Sequence, residues 1–134
     1  MANGGPHDKA EWAHIEAPLI RVDPLLEEFA RTHRVPLAKN SHGSPDRSIT
    51  WTDGASCLIQ LYPVNQDPPS FSLWIRASQD RGRERYWKTA YLVEDQPLAA
   101  FEAELPALLD EGLHTLAAWC SDPESFDYVG EVTG

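Results

Sequence analysis

SITWTDGASCLIQLYPV, residues 48–64, decides the fold: two β-rich runs meet at Asp53-Gly54. Asp-Gly between such runs is a strong hairpin signal, because a tight turn needs positive φ at its centre. The stretch predicts strands over 48–52 and 55–64. Downstream, residues 65–69 read as a turn-rich connection and 70–77 as a third strand. Asp80-Arg81-Gly82 reads as a turn and 85–93 as a fourth strand. Consecutive strands on short connections pair antiparallel. Upstream, the small, polar, Gly- and Pro-containing residues 38–47 read as a loop.

Helical patterns flank the strands. Residues 9–17 carry a short helical pattern that Pro18 is expected to end, since proline disfavours helix in the residue before it. A clearer helix starts at Asp23, with Asp23 capping the first amides and Pro24 in the first helical position. Leu25, Leu26, Phe29 and Ala30 share one face, and Val35-Pro36 ends the helix. At the other end, residues 97–120 form a helix with Phe101, Leu105, Leu108, Leu109, Leu116 and Trp119 as its apolar stripe. Pro106 predicts a kink or break near 102–106, and Gly112 weakens the helix by about 1 kcal/mol. The order α-β-β-β-β-α predicts an α+β domain: a four-stranded antiparallel meander with both helices on one face. Residues 1–8 read as a flexible leader, 9–120 as a single domain and 121–134 as a polar acidic tail.

A chain of 134 residues suits one hydrophobic core. Its net charge of −10 is placed unevenly. All eleven Lys and Arg residues precede Thr89, balanced there by eleven Asp and Glu, and the remaining ten acids fall between Glu94 and Glu131. Such a field repels phosphate backbones and attracts basic partners. It equally suits a solvated helix and tail that keep the protein dissolved. Cys57 and Cys120 read as free thiols of a reducing compartment. No run approaches the ~18 apolar residues that span a bilayer. No apolar signal core opens the chain. The expected location is cytoplasmic, with no membrane association.

Alternation sorts the strand residues into two faces. Cys57, Ile59, Leu61, Phe71, Leu73 and Ile75 belong to a core. Opposite them lies a mixed face of Tyr62, Trp74, Arg76, Arg85, Trp87 and Tyr91, with Trp51 a further candidate. A contiguous aromatic cluster there exceeds what a monomer usually exposes. Three readings compete: a cover formed by the N-terminal segment or the kinked helix, a homodimer or partner interface, and a small-molecule pocket. Arg76, Arg81, Arg83 and Arg85 crowd one turn. Nucleic acid is disfavoured there by Asp80 and Glu84 among them, and a carboxylate suits arginine forks better. Glu102, Glu104, Asp110 and Glu111 mark a second, acidic surface on the last helix.

Nothing marks a metal or cofactor site. The five histidines lack the close spacing of zinc ligands, and neither a nucleophile elbow nor a phosphate loop occurs. The expectation is therefore a non-enzymatic protein-interaction module, using the acidic helix for a basic partner and the aromatic face for a partner or a second copy. Small acidic bacterial immunity proteins and secretion chaperones share this profile of size, charge and composition. That is a likeness of class, without a residue-level match. The alternative is a small anionic-ligand binder or enzyme, with Arg76, Arg85, Trp74 and Trp87 lining a cleft between sheet and helices.

Overall fold

The computed structural model describes residues 9–41 and 44–132, with side chains from Glu16 onward; the expected leader, 1–8, lies outside the described residues. The chain is α+β. Helix α1 (Lys9–His33) leads into strands β1 (Leu37–Asn40), β2 (Asp46–Asp53), β3 (Ala55–Gln66), β4 (Pro69–Arg81) and β5 (Glu84–Pro97). Helix α2 (Leu98–Cys120), a 3-10 turn (Pro123–Ser125) and strand β6 (Asp127–Glu131) follow. The strands form one six-stranded sheet in chain order, antiparallel throughout.

The sheet therefore has two more strands than the four expected. Both are short edge strands, β1 from residues read as a loop and β6 from residues read as a tail. Four or five residues hold only about two periods of alternation, and these are exposed at nearly every position, so pairing to β2 and β5 creates these strands rather than their own propensity.

The N-terminal helix also differs from its expectation. Pro18 and Pro24 lie inside one continuous α1. Each proline removes a backbone hydrogen bond, but Leu19, Val22, Leu26 and Phe29 follow one another at helical spacing straight through both and are all buried. A single stripe packed on the sheet offsets the lost bonds. Asp23 is no cap. Asp23 is 7% exposed, and its carboxylate accepts two hydrogen bonds from Arg47 of β2, Nε to Oδ1 at 2.8 Å and Nη2 to Oδ2 at 3.2 Å. Arg47 itself is 2% exposed and also donates to Glu16 at 2.9 Å. This ion-pair cluster pins α1 to the sheet. Helix α2 likewise runs unbroken through Pro106.

Both helices lie on the same face. Phe101, Leu105, Leu109 and Leu116 of α2 join the α1 stripe over Ile49, Ile59, Leu61, Leu73 and Ile75. Gly112 marks the closest approach: a methyl added there would meet Leu92 Cδ1 at 3.1 Å and Ile75 Cγ2 at 3.3 Å. What sequence alone reads as a weak point in the helix is the spot where backbone must come near the sheet.

Candidate functional site

Opposite the helices, no described helix or loop lies across the sheet. Register builds this open face row by row. Thr50, Leu58, Arg76 and Thr89 stand side by side across β2 to β5, flanked by the row Thr52, Ser56, Ser78, Trp87 and the row Ser48, Gln60, Trp74, Tyr91. Thr50, Thr52, Ser56, Thr89 and Tyr91 are exposed.

The structure brings together most of the aromatic and cationic residues singled out from sequence. Tyr62 and Tyr91 share a hydrogen bond of 2.8 Å between their hydroxyls. Tyr91 pairs across the strands with Trp74, whose indole N–H donates to Gln60 Oε1 at 2.7 Å. Gln60 in turn donates to Asp46 at 3.1 Å. The Arg76 guanidinium lies 5.6 Å from the Trp74 ring centre and 5.0 Å from that of Trp87. Tyr62, Tyr91, Trp74, Arg76 and Trp87 thus form one continuous chain of side chains.

Arg85 stands apart from it. Its guanidinium donates to Asp80 twice, at 2.7 and 3.1 Å, and this bond holds the Asp80 carboxyl below its ordinary range. Arg81 donates to the Pro123 carbonyl at 2.6 Å and stacks 4.3 Å from the Tyr86 ring centre. Lys88 lies 5.8 Å from the Trp119 ring centre, toward α2. The cationic turn expected from sequence is therefore dispersed among separate partners. The side chains of Arg76 and Arg83 make no hydrogen bond or ion pair among the described residues; Arg83 is exposed at the turn, whereas Arg76 is partly buried against the two indoles. Partial burial pulls its pKa below the usual guanidinium value, and Arg85 adds to that.

Trp51 belongs to the other face. It pairs with Cys57 and packs against the core. A two-residue turn at Asp53-Gly54 would have set it opposite Ser56. Instead Asp53 pairs with Ala55 and only Gly54 takes a positive φ, 74°. The register slips by one, and a one-residue slip reverses every side chain.

Beside Arg76 the open face sinks into a half-open depression of ≈ 320 Å³, lined by Thr50, Thr52, Ser56, Leu58, Arg76 and Ser78, with Trp51 and Cys57. A second pocket of ≈ 190 Å³ lies between the helices, lined by residues including Leu25, Phe29, His33, Pro106 and Leu109. Neither is the cleft between sheet and helices expected for Arg76, Arg85, Trp74 and Trp87, because those side chains are on the far side of the sheet.

The acidic surface is divided. Glu102 faces α1, where Arg21 Nε donates to it at 3.1 and 3.3 Å. Glu104, Asp110 and Glu111 are exposed, and Glu104 accepts from Gln96 at 3.3 Å. Cys57 and Cys120 are free thiols with Sγ atoms 3.4 Å apart. Burial, followed by the Cys120 contact, pushes the Cys57 thiol up to about 12, so it is a poor nucleophile at neutral pH. Among the described residues no group of three His, Cys, Asp or Glu is placed to hold a metal ion, and no helix is long and apolar enough to cross a membrane. No family model, curated protein or solved structure matches this chain.

Proposed function

We propose that this chain is a non-catalytic protein-interaction module that docks a partner protein on the open face of its sheet. The observation that carries the reading is the chain Tyr62–Tyr91–Trp74–Arg76–Trp87 on a face that no described element covers. Trp, Tyr and Arg are the residues enriched where partners bind most strongly. Here they sit on rigid central strands, so little order need be gained on docking. On the helical side, Glu104, Asp110 and Glu111 supply a second, purely electrostatic attraction for a basic partner. Exposed charges are screened beyond about 8 Å at physiological ionic strength.

Affinity capture with the wild-type chain beside a Trp74→Ala/Trp87→Ala variant, each washed at low and high salt, tests this. The expected result is a stoichiometric partner held by the wild type through the high-salt wash and lost from the variant. The same partner held equally by both proteins would remove the open face from its binding. A partner lost from both at high salt would move the docking surface to α2.

A further inference from the structure

We infer that Arg76 and the depression beside it form a recognition site for a carboxylate carried by an extended peptide segment of the docked partner. The inference rests on the docking role proposed for the open face and names what that face recognises.

Three observations carry it. The Arg76 guanidinium is partly buried between two indoles and has no counter-ion among the described residues, while its neighbours Arg81 and Arg85 are both engaged. A cation removed from water without a partner is at a disadvantage that an incoming anion relieves. The depression next to it is lined with hydroxyls, those of Thr50, Thr52, Ser56 and Ser78. Each can donate to an anion or accept from a peptide amide. Finally, the indoles hold the guanidinium in place, so its planar fork meets a carboxylate without first being ordered.

The same features choose among anions. A phosphate monoester brings about two negative charges and would meet one free cation on a chain of net charge −10. A single carboxylate matches that charge. The depression is half open on a sheet face, unlike the pockets that enclose most of a small ligand. A side chain or terminus projecting from a bound peptide fills such a shape, with Trp74, Trp87 and Tyr91 to receive its apolar neighbours.

The test follows the Arg76 Nε–H and the Trp74 and Trp87 indole N–H signals by NMR. The probe is acetyl-Gly-Glu-Gly amide, with acetyl-Gly-Gln-Gly amide as its uncharged counterpart. The glutamate peptide is expected to shift all three signals saturably and the glutamine peptide is not. Arg76→Lys keeps the charge but loses the fork, and should weaken binding at least tenfold; Thr50→Val, which leaves the charges alone, should weaken it less. Equal shifts from both peptides, an unchanged affinity in Arg76→Lys, or no shift with the glutamate peptide would each overturn the site. Acetate binding as tightly as the peptide would reassign it to free small carboxylates, and inorganic phosphate binding more tightly would reassign it to phosphate. If the partner still depends on Trp74 and Trp87 while the peptide leaves the signals unmoved, the docking face stands and the carboxylate site falls.

Discussion

The two faces of the sheet are built from the same strands, residue by alternate residue, and they divide the chain's chemistry between them. Toward the helices stand Ile59, Leu61, Leu73, Ile75 and Ala77, each at most 2% exposed. Their immediate neighbours Gln60, Trp74 and Arg76 stand on the open side. Each face holds an arginine. Arg47 on the covered face has two carboxylates and is sealed from water, whereas Arg76 on the open face has two indoles and no carboxylate. The contrast separates what holds the fold from what is left to bind: a buried cation must be paired for the domain to stand, and a surface cation left unpaired on a rigid strand is available to a ligand.

Substitution of the two arginines should give the widest gap between the faces. Removing one member of a buried ion pair strands the other charges, so Arg47→Ala should cost about 3–5 kcal/mol of unfolding free energy. Arg76→Ala should cost about 1 kcal/mol or less, the scale of an exposed cation–π contact. Urea denaturation of both variants reads the difference, and near-equal losses would break the comparison. Next in size is Ile75→Ala, directly beside Arg76 on β4. It should cost about 2–5 kcal/mol through the cavity left under Gly112 and Leu92, with the open face still binding whatever the wild type binds.

A smaller effect distinguishes the faces by pH. Cys57 on the covered face has a thiol raised from its ordinary value near 9.0 to about 12, mainly by burial. The folded state therefore holds this proton more tightly than the unfolded chain does. Its contribution is fully present below pH 9 and is lost as the pH rises toward 12, by up to about 1.4 kcal/mol per pH unit. Cys57→Ala should flatten the alkaline decline of stability in that window. An unchanged alkaline profile would mean that the thiol is not sealed beneath α2.

How much of this is legible in the sequence depends on how many residues each signal spans. The central strands repeat their alternation over several periods, and α2 carries its stripe from Phe101 to Leu116; both are readable, and the aromatic–arginine face follows from them. Edge strands β1 and β6 are short and exposed along nearly their whole length, so no buried face marks them, and they exist through pairing with their neighbours. The continuity of α1 was hidden because Pro18 and Pro24 are strong local breakers. The contact that helps to override them, Asp23 meeting Arg47, joins residues 24 positions apart. Trp51 fell on the wrong side because its face depends on whether the hairpin turn holds one residue or two. In the same way, the arginine turn reads as one patch in sequence, but alternation sends Arg81 toward Tyr86, and Asp80 engages Arg85 on the face that it shares with Arg76.

The central claim, that the open face is a surface for binding and no part of the core, is tested most directly by the unfolding free energy of Trp87→Ala, measured in urea at two protein concentrations well apart. The account predicts a loss of about 1 kcal/mol, the scale of an exposed cation–π contact, the same at both concentrations. A loss of about 3–5 kcal/mol, the cost of truncating a buried indole, would contradict it. Dependence on concentration would then identify the cover as a second copy of the chain, and independence would identify it as a segment of the chain itself.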